Sequence, residues 1–234
     1  MMNYAVPPAP VHSLAIAGSE QRFPVNRIFC VGRNYAAHAR EMGRDPEREK
    51  PFFFMKPANA AVPAGAAEVA IPYPPKTSNF HHEIELVAVI GKGGANIPVG
   101  RALEHVYGYA VGLDMTRRDI QLEARDKGRP WEFGKSFAQS APIGEISPVA
   151  QVGHLERGRI ALTVNGQPRQ ASDIAMLIWS VAESIAYLSE YETLEPGDVI
   201  MTGTPEGVNS VVAGDLMVGE VAGLAPITVR VAGA

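Results

Sequence analysis

His81-His82-Glu83-Ile84-Glu85-Leu86-Val87-Ala88-Val89-Ile90 is the stretch on which the reading of this 234-residue chain turns. Successive side chains on a strand alternate faces, so Glu83 and Glu85 point the same way and Val87 and Val89 continue their face. Ile84, Leu86, Ala88 and Ile90 cover the other face. Two carboxylates are thus presented together from an otherwise apolar strand. Burying them side by side as anions costs several kcal/mol unless a cation or a bound proton compensates. A hard divalent ion held by carboxylate oxygens meets that need. An isolated Glu-x-Glu would instead read as a solvated edge. Here the apolar strand, the two histidines before it and a third isolated acid nearby turn the reading toward a metal.

That acid is Asp114, which ends the next strand candidate, Val106 to Asp114. A strand end faces the loops where sites are assembled, although an aspartate there also suits a turn or the start of a helix at Thr116. Glu83, Glu85 and Asp114 together suit Mg²⁺, or Mn²⁺, better than zinc, which prefers His and Cys. His81 and His82 keep a zinc reading open, but read rather as supports for the ligands.

Outward from this centre, Arg27 to Val31 reads as a buried strand running into Asn34, a helix cap. The helix it opens carries His38 and Glu41 and stops near Gly43, with Pro46 barring its resumption. Pro51 to Lys56 is a further strand, a helix spans Thr116 to just before Gly128, and a longer one starts at Ser172 on the spacing of Ile174, Leu177, Ile178, Val181, Ile185 and Leu188. A strand follows Pro196-Gly197 from Asp198 to Thr202. Residues 1–25, with Pro7, Pro8, Pro10 and Pro24, read as an extended arm or irregular strand, and nothing divides residues 26–234. Strands outnumber helices without a βαβ rhythm, so the expected class is α+β built on mixed sheets.

A formal charge of -4 argues against nucleic acid as a partner. Apolar runs such as Leu86 to Ile90 are too short to cross a bilayer, and no basic residue precedes an apolar segment at the N-terminus, so neither a membrane span nor a secretory signal is expected. The single cysteine, Cys30, lies in the apolar run Ile28-Phe29-Cys30-Val31 and reads as a core residue of a cytoplasmic protein.

Three weaker signals bear on chemistry. His38 and Glu41 share a helix face, and a carboxylate behind an imidazole suits a general base that activates water, although such a pair is commonly surface polarity. Lys135, among the aromatics of Trp131-Glu132-Phe133-Gly134-Lys135-Ser136-Phe137, is placed to meet a carboxylate or an enolate, or to snorkel outward. The loop Thr202-Gly203-Thr204-Pro205-Glu206-Gly207 offers amides and the Thr204 hydroxyl to a carboxylate, or is an ordinary turn.

In order and number, these pieces resemble the fumarylacetoacetate hydrolase family from about Arg27 onward: Gly32-Arg33-Asn34-Tyr35 with His38 and Glu41, Lys56-Pro57, His82-Glu83-Ile84-Glu85-Leu86, Gly112-Leu113-Asp114, Gly134-Lys135-Ser136-Phe137, and Pro196-Gly197-Asp198 through Thr202-Gly203-Thr204-Pro205-Glu206-Gly207-Val208. The resemblance implies a mixed β-sandwich roll, a single catalytic domain over 26–234 and a homodimer. It implies Mg²⁺ on Glu83, Glu85 and Asp114, and a short lid helix carrying His38 and Glu41. It also implies substrate contacts from Lys135, Gln121, Thr204 and Arg33. The activity implied is hydrolysis of a carbon–carbon bond in a small 2-oxo acid, an acylpyruvate, with fumarylpyruvate the favoured substrate. Decarboxylation or isomerisation of oxaloacetate on the same metal is the alternative within the family. A non-catalytic 2-oxo acid binding protein is the alternative from another class, and it would have no use for His38 and Glu41.

Overall fold

In the computed structural model, which describes residues 3–37 and 49–233, the strand Ile84–Ile90 is buried along its whole length. It lies inside an eight-stranded sheet of order Phe52–Lys56, Ile28–Gly32, Val199–Met201, Ile84–Ile90, Val106–Leu113, Ala141–Ile143, Ala61–Pro63, with Ser147–Pro148 paired to Val106–Leu113. The alternation read from the sequence sorts the side chains into two cores. Ile84, Leu86, Ala88 and Ile90 enter one, and Val87 and Val89 the other.

The first core is closed by a five-stranded sheet of order Gln167–Asp173, Arg159–Val164, Leu216–Val221, Ile227–Ala232, Glu68–Pro72. Ile160, Leu162, Met217 and Val229 come from that sheet, and Ile185 and Leu188 from the helix Val181–Tyr191. Mixed sheets with a curled half-barrel and few helices bear out the α+β class read from the sequence and the sandwich roll that the family resemblance implies.

The second core draws Leu14, Ile16, Phe23 and Val25 from the N-terminal segment. The stretch expected as an extended arm or irregular strand contains an antiparallel hairpin, Ser13–Ile16 with Ser19–Pro24, turning at Gly18 with φ 71. Its outer strand carries Ser19, Glu20, Gln21 and Arg22, all exposed, which hides its alternation. Cys30 is fully buried in the same core, and burial pushes its thiol well above its ordinary pKa, so it is a packing residue and no nucleophile.

The helix expected from Ser172 begins later. Residues 167–173 are strand, Ile174–Met176 is a single 3₁₀ turn capped by Asp173, and the helix proper runs Val181–Tyr191. Ser180 caps it in a capping box: the Ser180 hydroxyl accepts from Glu183 N–H, and Glu183 accepts from Ser180 N–H. The apolar spacing runs unbroken through the 3₁₀ turn, so only the cap distinguishes the true start. Likewise Thr116–Arg117 is a short strand and the helix is Arg118–Asp126. That short strand pairs with Phe80–His81, which also pairs with Ser210–Val211. Among the described residues no helix is long and apolar enough to cross a membrane.

Loss of the Ser180 cap in Ser180→Ala should cost about 1 kcal/mol and lower the melting temperature by about 2–4 °C. Ser172→Ala, at the expected but unrealised helix start, should stay within about 0.5 kcal/mol of the parent in the same thermal melts.

Candidate metal and substrate site

Strand direction brings the acidic residues together. Ile28–Gly32 and Val199–Met201 run parallel, while Ile84–Ile90 runs antiparallel to Val199–Met201 on one side and to Val106–Leu113 on the other. The C-terminal ends of three strands and the N-terminal end of the fourth therefore share one rim. That rim carries Arg33, Thr204, Asp114 and the Glu83/Glu85 pair around a cleft of about 540 Å³, open solvent at its mouth included.

Glu83, Glu85 and Asp114 are all buried, and each offers an oxygen within 4.8 Å of the others. The backbone holds them there: Asp114 N–H donates to the Glu83 carbonyl at 2.9 Å, and Glu85 sits opposite Gly112. Glu85 takes a 2.7 Å hydrogen bond from Gly203 N–H. Gly203 has φ +103, and a Cβ there would lie 2.6 Å from that of Asn34, so the position needs glycine on both counts.

Three buried cations face the three acids. Lys135 Nζ donates to Glu83 at 2.8 Å and to Asp114 at 2.6 Å. Arg118 pairs with the other oxygen of Glu83. Lys56 Nζ lies 2.9 Å from Asp114 Oδ1, an ionic contact without the alignment of a hydrogen bond, and donates to Ser140 Oγ at 2.9 Å and to the Met115 and Lys135 carbonyls. Burial alone would lower the pKa of Lys135, but Asp114 and Glu83 outweigh it and the ammonium is held above its ordinary value. Glu85 goes the other way. Burial, followed by the charges of Asp114 and Glu83, pushes it well above the carboxylate range, with Gly203 N–H opposing. A divalent ion would relieve what the internal cations leave at Glu85, and an all-oxygen donor set fits a hard one.

The predicted site residues Glu83, Glu85, Asp114, Lys135, Arg33, Gln121 and Thr204 all line this one cleft. His38 and Glu41 lie outside the described residues, as does most of the helix expected from Asn34, of which Ala36 and Ala37 are described and helical. The Asn34 side chain, expected as a helix cap, bonds elsewhere: its Nδ2 donates to the Thr202 and Trp179 carbonyls at 2.7 and 2.8 Å, and its Oδ1 accepts from Trp179 N–H. His81 and His82 stand outside the acidic group. His81 faces Asn79 and Arg118, and His82 faces Gln170.

The fumarylacetoacetate (FAA) hydrolase C-terminal family matches residues 27–232. The chain belongs to the fumarylacetoacetate hydrolase family. It is 52% identical over 192 residues to a fumarylpyruvate hydrolase of a Ralstonia species, an alignment covering 81% of this chain and 98% of the relative. It is 42% identical over 204 residues to the human mitochondrial oxaloacetate tautomerase FAHD1, covering 87% and 90% of the two chains. Its fold is similar to the crystal structure of fumarylpyruvate hydrolase from Pseudomonas aeruginosa in complex with Mn²⁺ and pyruvate, with a TM-score of 0.98 and 57% identity over 99% of this chain and 100% of that one.

For this family member, sequence reasoning missed the roles of Lys56 and Arg118. Lys56, itself buried, ends the apolar run Phe52-Phe53-Phe54-Met55, and a lysine closing an apolar strand candidate was the available signal. Arg118 gave none, because its partner Glu83 is set by tertiary contact, and its pairing with Gln121 one turn along the same helix reads as ordinary helix polarity.

Removing the charge of Glu85 tests the electrostatics. A carboxylate whose folded pKa is raised binds more protons folded than unfolded, so at neutral pH it destabilises the metal-free protein, and the penalty shrinks as pH falls from the raised value and is gone below the ordinary carboxylate value. Glu85→Gln should therefore raise the metal-free melting temperature at pH 7.5. The stabilisation given by a divalent ion, about 2.7 kcal/mol at a hundredfold excess over Kd, should vanish. Calorimetric melts with and without Mn²⁺ read both effects.

Proposed function

We propose that this protein is a divalent-metal-dependent hydrolase cleaving the carbon–carbon bond of an acylpyruvate, with fumarylpyruvate as substrate and fumarate and pyruvate as products. One observation carries the reading: a single cleft joins three converging carboxylates to the cationic groups Arg33, Arg118, Arg125 and Lys135. The Ralstonia relative named for this activity and the Pseudomonas structure with Mn²⁺ and pyruvate support it. Mg²⁺ is the proposed resident ion, with Mn²⁺ able to replace it. The lone buried cysteine suits a reducing, cytoplasmic compartment, and a fumarylpyruvate substrate would place the enzyme in aromatic catabolism.

Glu83, Glu85 and Asp114 would hold the ion, which when bound supplies Lewis acidity toward the 2-oxo-carboxylate end of the substrate. Arg33, Gln121 and Thr204 orient that end. Lys135 stays protonated between Glu83 and Asp114, so it stabilises negative charge and does not serve as the base. His38, oriented by Glu41, takes a proton from water. The water oxygen bonds to the distal acyl carbon, and the bond to the pyruvyl methylene breaks. Its electron pair leaves as the enolate of pyruvate, which takes up a proton.

The human tautomerase at 42% identity supports a second reading, oxaloacetate turnover, which shares the enolate but consumes no water. A panel of fumarylpyruvate, other acylpyruvates and oxaloacetate, assayed with Mg²⁺ and with Mn²⁺, separates the two. The expected outcome is pyruvate and fumarate in equal amounts from fumarylpyruvate. Turnover of oxaloacetate with inert fumarylpyruvate would favour the second reading. Lys135→Met should lower kcat by about 10²–10³-fold. His38→Ala should abolish hydrolysis and leave oxalate binding intact.

A homodimer is proposed as the working form. Among the described residues Phe52–Lys56 is an edge strand with apolar side chains to both sides, Phe52 and Phe54 beside Trp131 and Phe53 stacked on Tyr187, with Met55 and Phe133 exposed. Unpaired edges with such faces invite a partner. Phe53→Asp combined with Met55→Asp should give a monomer in sedimentation velocity, where the parent sediments as a dimer.

A further inference from the structure

Every hydrogen-bonding direction of the Gln170 carboxamide is occupied. Gln170 is buried on the strand Gln167–Asp173 of the five-stranded sheet, behind the cleft and not in its lining. Its Oε1 accepts from Ile84 N–H at 3.1 Å and from His82 Nδ1 at 3.0 Å. Its Nε2 donates to the Pro205 carbonyl and to Thr204 Oγ1, each at 2.8 Å. The two backbone partners settle which end is oxygen, because a backbone N–H only donates and a backbone carbonyl only accepts. Thr204 Oγ1 is therefore the acceptor in its bond to Gln170. Its own proton cannot point at the carboxamide and is left for the cleft, which Thr204 lines.

We propose that Gln170 is a positioning residue that fixes Thr204 as a hydrogen-bond donor and so selects an acceptor-only group, a carboxylate or oxo oxygen, at that point of the cleft. The contact is built into the backbone. Gly207 has φ +89, and a Cβ there would fall 2.1 Å from the Arg169 carbonyl, so the loop after Thr204 lies directly on the strand of Gln170. Gln121 is polarised in the same sense: Arg118 Nη1 donates to its Oε1, leaving its amide N–H groups to offer. Arg33, Arg125 and Lys135 add further donors to the lining of the same cleft. The inference rests on the proposal that Thr204 meets the substrate and adds how its polarity is set.

The test is calorimetric titration of oxalate, which carries only acceptors, into the Mn²⁺-loaded protein. Gln170→Glu keeps acceptors for Ile84 and His82 but draws the Thr204 proton toward itself. Gln170→Met, of similar length, removes both ends. Each should weaken oxalate binding about 5- to 30-fold, as should Thr204→Val. Because Gln170 acts through Thr204, the double variant Gln170→Met/Thr204→Val should lose no more than Thr204→Val alone. A purely architectural Gln170 would give additive losses, and additivity, or parental affinity in the Gln170 variants, overturns the proposal. The cycle is read on variants that keep the parental melting temperature. Unfolding of both Gln170 variants would make this residue part of the framework and overturn it equally. Failure of oxalate to bind the parent protein would instead strike the functional reading itself.

Discussion

Three carboxylates buried within 4.8 Å of one another are the constraint that the rest of this molecule answers to. Left alone they would protonate or pull the strands apart. The chain answers with three buried cations, Lys56, Lys135 and Arg118, each from a different segment. The compensation is uneven. Glu83 and Asp114 have ammonium or guanidinium partners, while Glu85 has the Gly203 amide. The set is formally neutral, so the fold does not require a metal to hold itself together. A divalent ion would then leave excess positive charge in the cleft, and an anionic 2-oxo acid is the ligand that cancels it. Substrate charge thus follows from the same balance that lets the acids be buried.

The curled sheet makes that balance reachable. Lys56 stands on the edge strand, four places along the sheet from the strand that ends at Asp114, yet its ammonium lies 2.9 Å from that carboxylate. A flat sheet would hold neighbouring strands nearly 5 Å apart in a row and put the two groups far out of reach. Curling also costs backbone freedom at the rim. Gly203 needs a positive φ, and Arg33, with φ 55, occupies a left-handed conformation that a non-glycine residue adopts at a cost of about 1–3 kcal/mol. Such a cost at a cleft-lining cation fits a side chain placed for a ligand.

What could be read from the sequence follows from the range of the interaction. The two faces of Ile84–Ile90 were legible because side-chain alternation is a local property, and the two cores divide along it residue by residue. The acids were legible because an anion on an apolar strand is anomalous by itself. The start of the helix Val181–Tyr191 was obscured because Ile174 and Leu177 keep a helical spacing across a 3₁₀ turn. Lys56 left only the local hint of a lysine closing an apolar run, and Arg118 and Gln170 were invisible as site residues because Glu83, and the partners of Gln170, lie 34 to 88 positions away, where no local pattern records the contact.

Hydrolysis and tautomerisation of 2-oxo acids share an enolate, and the described cleft offers both an acidic group that could hold a divalent ion and cations beside it. Relatives of this chain carry both names, and on the proposed mechanism the choice between the two activities falls to whatever delivers or withholds activated water. Here the root of the segment bearing His38 and Glu41 is fixed to the rim. Asn34 is tied through its side chain to Thr202 and Trp179, and through its carbonyl to Ile178 N–H at 2.8 Å, immediately beside Gly203 and Thr204. On the proposed mechanism, a base carried on that segment is anchored beside the loop that carries Thr204.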